Sequence, residues 1–212
     1  DWSSDVCSSD LITHKPAKLT IEQAAGIPLA ALTAYQALFE EAEIKKDQKI
    51  LILGASGAVG HFAVQLAKNN GNYVTGTSAA KSEKFLKMIF IDRVIDYHKT
   101  AIQEIDDEFD IILDTVGGET GMNAIGLLKK DGIMVTIPTN TRDQVIEKGE
   151  KAGRNVKGLL VQPVKNQLEI LARLCDEGRL TIRLDNVYPL ANAAEAHIRM
   201  ENKLHTGKII LK

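Results

Sequence analysis

Cysteine is scarce in this chain: its 212 residues contain only Cys7 and Cys175. Two cysteines so far apart build no disulfide framework and lack the close spacing of a structural metal site. That usage suits a reducing compartment, and a cytoplasmic protein is the expectation. No apolar run reaches the roughly 18 residues that a membrane span needs, so no membrane partner is expected. Net charge is slight, −2 from 26 basic and 28 acidic residues, which gives no electrostatic case for nucleic acid or an anionic bilayer. The histidines, His14, His61, His98, His197 and His205, show no ligand spacing of the His-x-x-x-His kind, so no metal residues are assigned. No Ser–His–Asp or Cys–His set can be assembled from the sequence either, and the catalytic residues stay unknown.

An initiator Met and a signal-peptide pattern are also missing. The first ten residues, Asp-Trp-Ser-Ser-Asp-Val-Cys-Ser-Ser-Asp, carry no periodicity and look like a translated adapter. Residues 1–11 are therefore read as a non-native or disordered leader, and Trp2 and Cys7 carry no functional expectation.

What remains is ordinary for a globular protein: 44% hydrophobic and 25% charged residues, on a chain long enough to bury a full core. One stretch organises it. The apolar run Ile50 to Leu53 reads as a strand buried on both faces. It meets Gly54, Gly57 and Gly60 at three-residue spacing, and a helical pattern follows at once with Val59, Phe62, Ala63, Leu66 and Ala67 on one face. Glycines let the backbone turn sharply and approach a bulky anion, and the helix start offers unpaired N–H groups. A dinucleotide pyrophosphate is held by such a strand-turn-helix unit. A phosphate-loop NTPase would place Lys-Ser or Lys-Thr after the last glycine, where His61-Phe62 stands instead. His61 itself is expected to be exposed or to cap the helix.

An alternation of elements surrounds this unit. Thr20 should cap a short helix through Ala25, and a longer one should run from about Leu29 to Glu41. Gly71 ends the glycine-loop helix. Strands are expected at Tyr73–Gly76, Arg93–Asp96, Phe109–Asp114, Ile133–Ile137 and Val156–Val161. Helices are expected at Lys81–Met88, Ala101–Asp106, Glu119–Lys129 and Pro163–Glu177, with Cys175 a packed core thiol. Thr139–Lys151 reads as a polar loop with a turn or two of helix. Last come an extended piece near Val187, a helix from about Ala191 to Asn202 and a strand at Lys208–Leu211. Alternation of this kind implies a parallel sheet covered on both faces.

An NAD site, or a methyl-donor site of related fold, usually offers an acid at the end of the second strand for the ribose hydroxyls. Here that strand runs into Gly76-Thr77-Ser78-Ala79-Ala80-Lys81 without one. A hydroxyl and a cation suit a 2′-phosphate instead. Tyr97, just past the third strand, could stack on adenine or bond the same phosphate. Asp114, before Thr115-Val116-Gly117-Gly118, sits where ligands bind in such sheets, and fixing the turn is at least as good a reading of it as catalysis.

Several stretches together carry a family resemblance. They are the run Ala24 to Ala34, the glycine loop with Ala63-Val64-Gln65-Leu66-Ala67-Lys68, Val94-Ile95-Asp96-Tyr97, Phe109 through Gly118, and the closing Gly207-Lys208-Ile209-Ile210-Leu211. Residues 12–212 resemble the cofactor-binding part of the medium-chain dehydrogenase/reductase superfamily, in its zinc-independent quinone oxidoreductase branch. The resemblance implies an α/β fold: a Rossmann-type doubly wound parallel sheet of about six strands over residues 12–184. Residues 185–212 would then be the C-terminal remnant of a catalytic domain that precedes this region in the family. It implies NADP(H) as cofactor and hydride transfer to a quinone, enone or related carbonyl compound. Ser78, Lys81 and Tyr97 would grip the 2′-phosphate; Gly54, Ser56, Gly57, Ala58, Val59 and Gly60 would form the pyrophosphate loop. Thr33, Ile137, Pro138, Leu160 and Val161 would border the nicotinamide and its ribose. The resemblance also implies a homodimer through the sheet edge at the sixth strand, and leaves the last strand, Ile209 to Leu211, without a partner. The chain departs from the family at Phe90-Ile91, where Gly-Ala is usual, and at His205-Thr206, where a basic residue is common. A non-catalytic nucleotide-binding or structural module of the same fold is the alternative.

Overall fold

In the computed structural model, which describes residues 11–202 and 205–212, the run Ile50–Leu53 lies at the centre of a parallel sheet. Six strands form it: β1 (Lys49–Leu53), β2 (Tyr73–Ser78), β3 (Arg93–Asp96), β4 (Phe109–Asp114), β5 (Leu128–Thr136) and β6 (Asn155–Gly158), in the order β3-β2-β1-β4-β5-β6. Every pairing is parallel. Strand side chains alternate between faces, so β1 feeds two cores. Ile50 and Ile52 join one cluster, while Leu51 and Leu53 join the other. Helices α2 (Pro28–Tyr35), α3 (Gly60–Asn69), α4 (Glu83–Met88) and α7 (Lys165–Asp176) cover the first face. Helices α5 (Gly118–Ala124) and α6 (Arg142–Lys151) cover the second. The doubly wound sheet of about six strands is thus as the sequence implied.

Ahead of the sheet, α1 (Ile21–Ala25) starts with a capping box in which Thr20 and Gln23 satisfy each other's amides. The helix expected to run to Glu41 starts at Pro28 and changes at Gln36 into a π-helical stretch, Gln36–Glu41. Strand β2 continues two residues past Gly76 and so carries Ser78 within it. The expected helix at Ala101–Asp106 is a single 3₁₀ turn, Ile102–Glu104.

Three other expectations need correction. The helix expected through Lys129 stops at Ala124, passes through a 3₁₀ turn at Ile125–Leu127, and gives way to β5. Pairing jumps from Phe109↔Leu128 to Ile111↔Ile133, so the polar stretch Lys129–Gly132 bulges out of the ladder. The segment read as a loop at Thr139–Lys151 contains the ten-residue α6, which buries only Val145 and Gly149. Strand β6 ends at Gly158, three residues short of the expected Val161.

Phe90 explains the family departure. It takes a left-handed conformation, φ +66°, directly after α4. Its amide bonds to Lys87 O at 3.1 Å and that of Ile91 to Leu86 O at 3.2 Å, which is the Schellman ending that glycine usually makes. Phe90 is 77% exposed, so little packing offsets the strain. Phe90→Gly is expected to stabilise the chain by about 1 kcal/mol, the left-handed penalty less glycine's unfolded-state entropy. A shift of the urea midpoint to lower concentration would contradict this.

The end of the chain is paired, contrary to the expectation of a partnerless strand. Strand β8 (Lys208–Leu211) lies parallel to β7 (Leu184–Tyr188), with α8 (Ala193–Glu201) between them in sequence. Both ends of this second sheet are tied down: Lys208 N bonds to Arg183 O, and Lys212 N to Tyr188 O, each at 2.8 Å. The expectations for residues 1–10, including Trp2 and Cys7, lie outside the described residues.

Candidate functional site

The strand order reverses between β1 and β4, and in such sheets the crevice at the reversal, beyond the strands' carboxyl ends, takes the ligand. The glycine turn opens there. Gly54 has φ +74°, and the turn is pinned to β2 by Gly54 N to Thr77 Oγ1 at 3.0 Å and Ala55 N to Thr77 O at 2.9 Å. Gly57 N closes back on Gly54 O at 2.9 Å. A Cβ on Gly60 would stand 2.2 Å from Gly54 O and 2.8 Å from Ala55 Cα, so only glycine lets α3 start this close to the strand. Among the described residues, the amides of Ala58, Val59 and Gly60 donate to nothing. They are the free donors of a helix start, where an anion is stabilised.

His61 is not exposed. It is 0% accessible, and the whole of α3 from Gly60 to Ala67 is buried, not one face of it. Nδ1 lies 2.8 Å from Gly57 O, and Nε2 accepts from Arg183 N at 3.4 Å, which defines a neutral ring protonated at Nδ1. Burial pushes its pKa down to about 4; the Gly57 carbonyl opposes that shift and the Lys208 ammonium adds to it. Gln65, one turn on, bonds Thr181 through both ends of its amide. The residues leading into β7 therefore roof the helix that carries the glycine turn. Nothing near His61 in sequence announces this cover.

Ser78 is buried, and its hydroxyl donates to Ser56 Oγ at 2.9 Å, joining the end of β2 to the glycine turn. Tyr97 N reaches Ser78 O at 3.4 Å, while the tyrosine ring is exposed beside His98. Lys81 follows, exposed, on a 3₁₀ turn, Ala80–Ser82, whose Ser82 is buried. The C-terminal segment also arrives here: Gly207 N donates to Ser56 O at 2.9 Å, and Thr206 Oγ1 lies 3.2 Å from Ser82 Oγ. Thr206 and Ser82 are hydroxyls the sequence reading did not place at this end of the sheet.

Across the reversal, Asp114 fixes a turn, as one of its two readings had it. Oδ1 accepts from Val116 N and Gly117 N at 2.9 and 2.7 Å, and Oδ2 from Thr136 Oγ1 at 2.8 Å. Thr115 Oγ1 bonds Leu53 O at 2.7 Å, beside the place where a Gly54 side chain would be. Ile137 N bonds Asp114 O and Leu159 N bonds Thr136 O, so the segments at Ile137-Pro138 and Leu160-Val161 leave neighbouring strand ends. Ala58, Val59, Ile137 and Val161 all pack against one core cluster, whereas Leu160 is 64% exposed. Thr33, buried in α2, donates its hydroxyl to Leu29 O, and α2 packs on α3. Among the described residues, no group of three His, Cys, Asp or Glu is placed to hold a metal ion.

A doubly wound sheet with a glycine turn and free amides at its switch point defines the class of domain in which dinucleotides are held. The chain belongs to the zinc-binding dehydrogenase family, whose model matches residues 91–211, and to the quinone oxidoreductase-like branch of the medium-chain dehydrogenase/reductase superfamily. It is 31% identical to a mitochondrial NAD(P)H oxidoreductase of Mus musculus over 97% of this chain and 59% of that protein. It is 30% identical to the chloroplast envelope quinone oxidoreductase homolog of Arabidopsis thaliana over 98% of this chain and 67% of that one. The solved quinone oxidoreductase of Coxiella burnetii superposes with a TM-score of 0.92 and 37% identity, over 97% of this chain and 65% of that one. The chain thus spans about three fifths to two thirds of the length of these relatives. Their mitochondrial and chloroplast names overturn the cytoplasmic expectation, which rested on cysteine usage alone.

Proposed function

We propose that this chain is the cofactor-binding part of an NADPH-dependent oxidoreductase of the zinc-independent branch that reduces quinones, enones or related carbonyl compounds. The observation that carries the reading is the glycine turn, whose close approach to β1 leaves three amides undonated at the switch point. The chain's residues suit a dinucleotide: Gly54, Ser56, Gly57, Ala58, Val59 and Gly60 would hold the pyrophosphate, with charge stabilised by the start of α3. Thr33, Ile137, Pro138, Leu160 and Val161 would border the nicotinamide and its ribose. The cofactor supplies the hydride; the protein binds and orients it.

The choice of NADPH rests on the end of β2, which offers no acid and presents Ser78, with Lys81 and Tyr97 at its mouth. There the Ser78 hydroxyl would turn from Ser56 to the 2′-phosphate, with Lys81 supplying charge. Lys81→Glu should weaken NADPH by at least about tenfold while leaving NADH nearly unchanged. An unaltered NADPH:NADH ratio in calorimetric titrations of that variant would sink the specificity claim. The activity is tested by NADPH oxidation with a naphthoquinone, for this chain and for a fusion to the N-terminal third of a relative; no turnover in the fusion would leave only a nucleotide-binding module.

Among the described residues, the outer edge of β6 pairs with no strand and exposes Asn155 and Lys157, an edge open to pairing with a second copy. A homodimer through this edge is part of the proposal, and a monomeric mass in sedimentation equilibrium would contradict it.

A further inference from the structure

The chain leaves its ladder at Gly158, yet the next apolar residues do not wander. Their anchor is a buried glutamine 126 residues away in sequence. Gln36, 3% exposed, stands at the start of the π-helical stretch that follows α2. Its Nε2 donates to Gln162 O at 2.7 Å, and its Oε1 accepts from Gln162 N at 3.0 Å. A primary amide carries the donor–acceptor pair of a peptide group, so Gln36 gives residue 162 what a neighbouring strand would have given it. The second Nε2 proton goes to Gln167 Oε1 at 2.7 Å, and Gln167 Nε2 donates in turn to Glu40. Three bonds occupy both N–H groups and the carbonyl of the Gln36 amide and fix its orientation, because a flipped amide would put N–H against N–H at Gln162.

This clamp closes immediately after Leu160 and Val161, and it starts one helical turn beyond Thr33. One side chain thus connects the two segments assigned to the nicotinamide end of the crevice. We propose that Gln36 is a positioning residue that holds Leu160-Val161 against the nicotinamide half of the cofactor, an inference that rests on the cofactor reading above. Gln36 does not touch the reacting atoms. It acts through the backbone of residue 162; the Gln162 side chain adds one long, exposed bond of its own, Nε2 to Leu160 O at 3.3 Å, so side chain 36 should matter far more than side chain 162.

The test separates the two halves of the cofactor. Gln36→Met keeps the length and removes all three polar bonds; Gln162→Ala keeps the backbone clamp. Calorimetric titrations with NADPH and with 2′,5′-ADP, which lacks the nicotinamide half, should show Gln36→Met weakened about tenfold for NADPH only. Gln162→Ala should match the parent chain for both ligands. Equal losses for both ligands in Gln36→Met would show a merely structural role and overturn the proposal, as would retention of NADPH affinity within about twofold. If the parent chain binds neither ligand, the cofactor reading itself has failed. A cofactor-independent readout tests the clamp: hydrogen exchange across residues 159–164 should quicken in Gln36→Met and not in Gln162→Ala. Unchanged exchange would overturn it.

Discussion

Gly60→Ala is expected to cost about 3 kcal/mol of stability, at the upper end of what overpacking costs, and to remove dinucleotide binding with it. The added Cβ would meet three main-chain atoms, Gly54 O, Ala55 Cα and Ala55 C, all within 2.9 Å. Main chain cannot swing aside as a side chain can. Relief requires moving the start of α3 away from β1, and α3 is packed on every side. Alanine's better helix propensity, about 1 kcal/mol in a helix interior, offsets little at the first residue of a helix. Moving that start also re-aims the amides of Ala58, Val59 and Gly60. Urea denaturation and NADPH titration of the variant check both parts. Parent-like stability together with parent-like affinity would show that the close approach is not required.

Acidification is expected to weaken the fold through His61. Its ordinary value is 6.5, and in the folded chain it falls to about 4. Between those values the unfolded chain takes up a proton that the folded chain refuses, so stability rises with pH across this window. His61 therefore contributes its full stability above about pH 6.5, and the contribution is lost as pH falls towards 4, by about 3 kcal/mol in all. Protonation would also remove the acceptor for Arg183 N and set a cation near the Lys208 ammonium, which burial already disfavours. Carboxylates contribute slopes of their own, so the comparison that matters is with His61→Gln, which cannot titrate. The parent chain should lose stability faster than this variant between pH 7 and pH 4 in denaturant melts. Parallel slopes would mean that His61 is not buried neutral.

These two residues also mark how far sequence reasoning reaches. Gly60 was legible: a double-faced apolar strand, three glycines in register and an immediate helical pattern all point to one local geometry. The burial of His61 was not, because its cover comes from Thr181 to Arg183, more than a hundred residues away. Helix α6 is hard to read from sequence for a different reason. It buries only Val145 and Gly149, one turn apart in a polar run, too few apolar positions to show a period. The end of β6 is not visible in the sequence because Leu159 to Val161 remain apolar after the ladder stops; an apolar run does not distinguish a strand from a loop held by Gln36. Phe90 was legible as an anomaly, but that it could complete a helix ending required its backbone angles.

At the candidate site, the glycine turn and the end of β2 could be read from spacing, since both are local in sequence. The contribution of the C-terminal segment could not. Gly207 on Ser56 and Thr206 on Ser82 join pieces separated by more than a hundred residues, and that junction braces the region where Ser78 and Lys81 emerge. This braced turn is proposed to hold NADPH in preference to NADH. Calorimetric titration of the unmodified chain with both dinucleotides tests it most directly. One site per chain with NADPH bound at least about tenfold tighter is the predicted result; equal affinities, or no binding of either, would contradict it.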